Sequence, residues 1–280
     1  MLDEVVDELL KYDISDVSIF KPTYKKEITI YLKENGSRFE LLILFGGDGT
    51  FNEMLNGVMS LKRKPKILYV PSGTVNDLGK YLLLPKNYKE AFLLLKEKTA
   101  LIDVCKVNET YFSYVLACGK FTSVSYVEGN VRYKKLLGNF YYYLIGLKDF
   151  FKVRRLSFNI NGQARKQSSL ILILNIWRVG NFKIRFKNKD KLNDGKINVV
   201  LFRNTIFFDV FGIMLFLLFG IKLKKVVEVL SGDSFNIKST TSEQFNTDGE
   251  ASYKTTDIMV SVIKEGLEIY VSKETYKKYF

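Results

Sequence analysis

A continuous apolar run, Leu41-Leu42-Ile43-Leu44-Phe45, passes directly into Gly46-Gly47-Asp48-Gly49-Thr50 and then into a helical stretch over 50–59. An apolar run without polar alternation suits a strand covered on both faces, the condition of a parallel sheet. The glycines let the backbone bend with φ > 0 and approach a ligand closely. The helix that follows aims its N–H groups and positive dipole end into the loop, which suits a phosphate. Asp48 would repel that phosphate, so it makes most sense as a Mg²⁺ partner or a hydrogen-bond acceptor. Taken alone, the loop is also read as a plain strand-to-helix turn.

A second loop tips the balance. Pro71-Ser72-Gly73-Thr74-Val75-Asn76-Asp77 follows an apolar strand over 67–70. Ser72, Gly73, Thr74 and Asn76 are small hydrogen-bonding residues at the C-terminal end of that strand, the edge where open α/β sheets bind ligands. Two such loops on consecutive strands can converge on one nucleotide. Gly73 to Gly79-Lys80 imitates a Walker A motif, but five residues separate the glycines and Tyr81 stands where Ser or Thr is required.

The wider pattern splits the chain. Helical periodicity over 2–10, a short strand over 17–20, a helix over 24–35 closed by Gly36, and a helix over 88–98 alternate with the strands above. Alternation predicts an α/β domain, a parallel sheet with helices on both faces, over residues 1–104. From 105 to 265 strands dominate: 102–107 and 111–117, Leu156–Ile160 turning at Asn161-Gly162 (a type I′ hairpin signal), then 169–176, 197–202, 235–239, 258–263 and 267–271. One long helix is expected over 133–151. This half reads as a β-sandwich-like second domain, with the segment at 266–280 returning to the first.

Composition narrows the chemistry. There is no histidine, which excludes Ser-His-Asp and Cys-His catalysis and His-ligated zinc, so a base must be Asp, Glu, Lys, Tyr or Cys. Cys105 and Cys118 read as two small buried hydrophobes. The acidic, amphipathic MLDEVVDELL is not a secretory signal and points to the cytoplasm. The longest apolar run, 210–221, is too short to span a bilayer and is expected to be a buried helix rather than a membrane-touching one. With 43 Lys+Arg against 30 Asp+Glu, the net charge of +13 favours anionic partners without choosing among nucleotides, nucleic acid and an acidic membrane face. Asn246-Thr247-Asp248-Gly249-Glu250 is a polar turn by itself. Beside a nucleotide site, its carboxylates become a candidate base and its helper.

GGDGTFNEMLNG, PSGTVNDLGK and the late Asp-Gly-Glu, in this order and spacing, resemble the diacylglycerol kinase catalytic-domain family. Ile102-Asp103-Val104, Lys134 four before Gly138, Val179-Gly180 and LNDGKINVV at 192–200 agree with it. The resemblance covers roughly residues 1–275. It implies a nucleotide-binding α/β domain followed by a β-sandwich domain, and an ATP-dependent lipid kinase that phosphorylates the hydroxyl of diacylglycerol or a related lipid. It places Asp48, with Gly46, Gly47, Gly49 and Thr50, at Mg-ATP. Ser72, Gly73, Thr74, Asn76 and Asp77 would line the nucleotide site, and Lys80 stands where relatives often carry Arg. Asp248 would be the general base, with Glu250 beside it. Asp194 would hold a structural Mg²⁺ with the backbone carbonyls of Lys191 and Lys196, while Asp194-Gly195 reads equally well as a plain turn. The resemblance also implies peripheral contact with the anionic inner membrane face and no nucleic-acid partner. A homodimer is left open.

One departure stands out. Family members begin with a strand running into an Asn-Pro-x-Ser/Ala-Gly loop, and none of Pro22, Pro65, Pro71 or Pro85 follows Asn. The chain is therefore expected to start at the helix after that strand, through a misassigned start or as a truncated copy. Two alternatives follow: an inactive homologue that binds nucleotide or lipid, and a NAD kinase, whose relatives share the GGDGT loop.

Overall fold

The computed structural model describes residues 2–119, 156–180, 182–184, 191–204, 208–248 and 251–280. The helix expected over 133–151, with Lys134 and Gly138, lies outside these residues, as do Gly249 and Glu250. The chain divides into two compact units. The first takes Met1–Val104, Lys189–Gly195 and Ile263–Phe280, and the second takes Cys105–Asn188 and Lys196–Val262.

The elements run α1 (Leu2–Leu10), α2 (Glu27–Asn35), β1 (Leu41–Gly46), α3 (Asp48–Val58), β2 (Lys66–Pro71), α4 (Asp77–Tyr81), α5 (Tyr88–Leu93), β3 (Thr99–Val107), β4 (Thr110–Phe112), β5 (Val115–Gly119), β6 (Leu156–Ile160), β7 (Gln163–Leu174), β8 (Arg178–Val179), β9 (Phe182–Lys183), β10 (Ile197–Arg203), α6 (Phe208–Phe219), β11 (Val227–Gly232), β12 (Ser234–Thr247), β13 (Ala251–Tyr270) and α7 (Lys273–Tyr279).

In the first unit β1 and β2 pair in parallel, Leu41 against Lys66 through Gly46 against Pro71. The end of β13 joins β2 in parallel at Ile269 and Ile67. Parallel pairing among the described residues stops there, so the parallel sheet expected for this half is a three-strand core. Its β2 is buried from Ile67 to Val70, as its unbroken apolar run requires. The strand expected over 17–20 does not form, and residues 14–23 are irregular. No described strand pairs with it. Phe20 instead stacks on Tyr31 of α2, ring centroids 4.0 Å apart. Gly36 does close α2, but with φ −61°, in the right-handed region. Its need for glycine is space, since a β-carbon there would lie 2.6 Å from Leu61 Cδ1.

Residues 191–195, placed by the sequence division in the β-rich half, cluster with the first unit. Asp103 N donates to Leu192 O (2.7 Å), Leu192 N to Tyr279 O (3.2 Å), and Gly195 N to Asp103 Oδ2 (2.7 Å). These partners lie some ninety residues away on each side, beyond the reach of any local pattern.

Among the described residues, the registers of the second unit's strands are antiparallel. Asn161 and Gly162 take φ of 49° and 82° and join β6 to β7, the turn their residue types demand. The sandwich reading needs correcting. β12 pairs β5 through residues 246–247 and β6 through 237–239, while β7 pairs β5 through 170–174 and β6 through 163–168. These four strands close a circuit, so one curled antiparallel sheet, continued by β10 and β11, replaces two separate sheets. It wraps a core that includes Phe112, Leu116, Phe158, Ile171, Ile237 and Phe245. A register break between Lys238 and Glu243 lets β12 serve both neighbours. Cys105 and Cys118 are free thiols in this core.

Candidate active site

Because β1 and β2 are parallel and Gly46 pairs with Pro71, the two loops that follow them leave the same sheet edge. Pro71 has no N–H, and the next donor, Ser72 N, reaches Gly46 O at 2.8 Å. The loops then interlock. A β-carbon on Gly73 would lie 2.5 Å from Gly47 Cα and 2.7 Å from Asn76 Oδ1, and one on Gly47 would lie 3.2 Å from Gly73 Cα. None of Gly46, Gly47, Gly49 and Gly73 has a positive φ. Gly47 and Gly73 are therefore required by close approach of backbone to backbone, and Gly46 by the Thr50 side chain that its β-carbon would strike, so the φ > 0 expectation is corrected.

The helix after the first loop starts earlier than the sequence suggests. α3 begins at Asp48, so Asp48, Gly49 and Thr50 form its first turn, with Gly47 as a cap that has no side chain. Phe51 N donates to Gly47 O at 3.0 Å, closing the turn. An acidic residue in the first turn suits the helix dipole. The N–H groups of that turn have no acceptor within the helix, as at every helix start.

Asn76 shapes the second loop from within. It is fully buried in the left-handed region, φ 53° and ψ 53°, and it caps α4. Gly73 N donates to its Oδ1 (3.0 Å), and its Nδ2 donates to Gly73 O (2.6 Å). This ring turns the backbone and leaves Ser72 and Thr74 exposed at the loop surface. Asp77 is buried at the start of α4, and Lys80 is half-buried in its last turn. Asn76→Ala removes both bonds and puts Ala in a conformation Asn tolerates far better. We expect a loss of about 2 kcal/mol in urea unfolding. An unchanged midpoint would contradict the ring's role.

Tyr69 was not singled out by sequence reasoning. Its ring lies against Phe51, centroids 4.9 Å apart, and its hydroxyl is buried without a hydrogen bond to a described residue. Burial, and then the negative charge of Asp48, push its phenol well above the ordinary tyrosine range, so it stays neutral. A tyrosine amid Ile67, Leu68 and Val70 in a doubly covered strand was the available signal.

In the second unit Asp248 sits at the end of β12 with φ 48° and is 1% exposed. Its Oδ2 accepts from Ser113 N (2.7 Å) and Ser113 Oγ (3.0 Å), and its Oδ1 from Tyr114 N (3.0 Å) and Val115 N (3.1 Å). Its own N donates to Val115 O, and its carbonyl accepts from Tyr114 Oη. These bonds explain why the strand expected over 111–117 breaks between β4 and β5. The backbone donors at 113–115 turn to a carboxylate. Ser113, which donates to Asp248 twice, is a partner that sequence reasoning missed.

Comparison with known proteins gives the family. The signature described as the diacylglycerol kinase catalytic domain matches residues 1–107. A diacylglycerol kinase of Staphylococcus haemolyticus is 30% identical over 246 residues, 86% of this chain and 73% of that protein. The chain belongs to the diacylglycerol kinase family. A diacylglycerol kinase of Staphylococcus carnosus is likewise 30% identical over 242 residues, 84% of this chain and 78% of that protein. The crystal structure of a diacylglycerol kinase from Bacillus anthracis shares the fold, with a TM-score of 0.77 at 24% identity, covering 98% of this chain and 93% of that one.

Within this member of the diacylglycerol kinase family, the structure brings together Gly46, Gly47, Gly49, Thr50, Asp48, Ser72, Gly73, Thr74 and Asn76 at one sheet edge. Asp194 lies elsewhere in the first unit, close enough to Asp103 for its charge to disfavour ionisation there. Asp103 is buried, and burial foremost raises its carboxyl above the usual range, against the N–H donors of Glu265 (2.8 Å) and Gly195 that lower it. Lys191 and Lys196 are exposed on either side of Asp194. No group of three or more Cys, Asp or Glu side chains capable of holding a metal occurs among the described residues, so a cation at Asp194 would depend on backbone oxygens. Among the described residues, no helix is long and apolar enough to cross a membrane.

Proposed function

We propose that the chain is an ATP-dependent lipid kinase that transfers the γ-phosphoryl group of ATP to the hydroxyl of diacylglycerol, giving phosphatidic acid. The observation that carries this reading is the interlocked pair of loops at the ends of β1 and β2, with the start of α3 beside them. Such an arrangement offers backbone N–H groups and a positive dipole to a polyphosphate. The relatives named diacylglycerol kinase supply the acceptor class.

Asp48 fits a Mg²⁺ partner: its carboxylate is a hard oxygen donor in the first turn of α3, beside the place where phosphate charge would gather. Bound there, Mg²⁺ would supply charge neutralisation for phosphoryl transfer. Asp194, with the carbonyls of Lys191 and Lys196, would hold a second, structural Mg²⁺. Ser72 and Thr74 would bond the nucleotide, Asn76 and Asp77 would fix the loop that presents them, and Lys80 would add a cation. Asp248 would take the proton of the lipid hydroxyl, with Glu250 beside it. Of the four described donors the Ser113 hydroxyl is the one that can rotate away, so the lipid hydroxyl would take that place. The setting we infer is the cytoplasmic face of the membrane, reached as a peripheral protein drawn by charge, with no nucleic-acid partner.

The test is nucleotide binding. Mg-ATP at about 100 times its Kd should stabilise the protein by about 2.7 kcal/mol in thermal unfolding, and NAD should leave it unchanged. Asp48→Asn should lose most of the Mg²⁺-dependent part. Stabilisation by NAD and none by Mg-ATP would replace this reading with a NAD kinase.

A further inference from the structure

The apolar run at 210–221 was expected to be buried, and the structure buries one side of it. On α6, Ile213 is 3% and Phe216 0% exposed. Phe216 meets Phe202 and Trp177 edge-on, centroids 5.6 and 6.4 Å apart. Gly212 lies so close to Val226 that a β-carbon would fall 2.5 Å from its Cγ1. The helix is therefore seated firmly. Its other side carries Phe211, Met214 and Leu218, spaced i, i+3 and i+7, and then Phe219 and Ile221. These five are 41–59% exposed. Gly220, at φ 68°, ends the helix, and Ile221 N folds back to Leu215 O at 3.3 Å, a Schellman-type ending. Directly after it come Lys222, Lys224 and Lys225, all exposed.

A seated helix that shows apolar groups on its outer face, too, is not a solvated surface helix, whose outer face is polar. A contiguous patch of this kind marks an interaction surface. The lysines choose its occupant. A second copy seated on this face would have to border or bury the lysines that follow it, and lysine is depleted at the core of protein interfaces. An anionic lipid surface meets both needs at once: acyl chains for the apolar groups and headgroups for the lysines. At 12 residues the helix is about 18 Å long, short of crossing a bilayer, so it would lie in the interface.

We infer that the outer face of α6, with Phe211, Met214, Leu218, Phe219 and Ile221, inserts into the headgroup layer of an anionic membrane while Lys222, Lys224 and Lys225 bind its phosphates. This deepens the lipid-kinase reading by naming the element that meets the substrate's surface. Its test reads binding and does not depend on catalysis.

The full chain is sedimented with vesicles of phosphatidylcholine alone and of phosphatidylcholine with phosphatidylglycerol. The parent should bind the anionic vesicles. The double variant Met214→Glu, Leu218→Glu should lose at least about tenfold in partitioning, since two apolar groups are replaced by charges. The triple variant Lys222→Gln, Lys224→Gln, Lys225→Gln should lose about fivefold per lysine at low salt and little at high salt. Phe219→Trp should be quenched by brominated acyl chains beyond the parent's own tryptophan signal. Both sets of positions face outward, so thermal unfolding should confirm that the variants fold. Equal partitioning of parent and glutamate variant, or no binding to anionic vesicles, overturns the inference. So does a parent dimer that the glutamate variant converts to monomer with vesicle binding unchanged, because a second copy then covers the face. A chain that binds through α6 yet phosphorylates no lipid upholds this inference and overturns the kinase. One that phosphorylates a short-chain soluble diacylglycerol but binds vesicles regardless of Met214 and Leu218 does the reverse.

Discussion

Asp248→Asn is expected to destabilise the second unit by about 3 kcal/mol, before any effect on turnover is counted. The backbone gives no reason for the loss, since Asn accepts a positive φ as readily as Asp. The loss comes from the side chain. Among the described residues each carboxylate oxygen accepts two bonds, three of the four from backbone N–H groups that cannot rotate. An amide has one oxygen and one NH₂, so whichever way it points, its NH₂ faces one pair of donors. At least one buried N–H then loses its acceptor, at about 1–3 kcal/mol, and the remaining bonds lose the strength of a charged acceptor. Ser113→Ala removes one donor only and should cost about 1 kcal/mol. The pair separates structure from chemistry. If Asp248 receives the lipid proton where the Ser113 hydroxyl now sits, Ser113→Ala keeps its transfer activity. Asp248→Asn, assayed well below its melting temperature, drops by about 10²–10⁴-fold. Urea unfolding of Asp248→Asn superimposed on the parent would refute the hydrogen-bonded arrangement.

Gly73→Ala should abolish tight nucleotide binding. The added β-carbon would lie 2.5 Å from Gly47 Cα, a backbone atom that cannot swing aside, and 2.7 Å from Asn76 Oδ1. Either the two loops part, which moves the start of α3 away from the Ser72–Thr74 surface, or the Gly73–Asn76 ring opens. We expect ATP affinity to fall by at least about 100-fold, because a misplacement near 1 Å is enough to break such positioning, and stability to fall by about 2 kcal/mol. Gly162→Ala is the contrast. It sits at φ 82° with open space around it, so it should cost about 1 kcal/mol of strain and leave ATP binding unchanged. Titration calorimetry of both variants decides the matter. Parent-like ATP affinity in Gly73→Ala would show that loop contact is dispensable.

What the sequence reveals here is what is local. The glycine loops, the strands ahead of them and the Asn161-Gly162 turn each announce themselves within ten residues, and the structure has them in place. The reason for Gly47 and Gly73 is not local: only the register of β1 against β2 shows that Gly73 must clear Gly47. Asp248 was picked out for its carboxylate. Its donors at 113–115 lie some 130 residues away, and nothing in an Asp-Gly-Glu triplet points to them. The same holds for Asp103 with Gly195 and Glu265, and for the closed circuit of β5, β7, β6 and β12, which depends on two strands each changing neighbour partway. In α6 the apolar run was legible, but sequence alone does not say which face packs on Phe202 and which stays open. The run at 17–20 misled for the opposite reason: strand propensity without a neighbour to pair with makes no strand.

The most direct test is phosphoryl transfer itself. The purified chain is incubated with Mg²⁺, ATP labelled at the γ-phosphate and mixed micelles of dioleoylglycerol with an anionic phospholipid, and the lipids are separated by thin-layer chromatography. The account predicts labelled phosphatidic acid that requires Mg²⁺ and disappears in Gly73→Ala. Mg-ATP binding at the two loops without label in any of diacylglycerol, monoacylglycerol, phosphatidylglycerol or undecaprenol would contradict it, leaving a nucleotide-binding homologue without transfer.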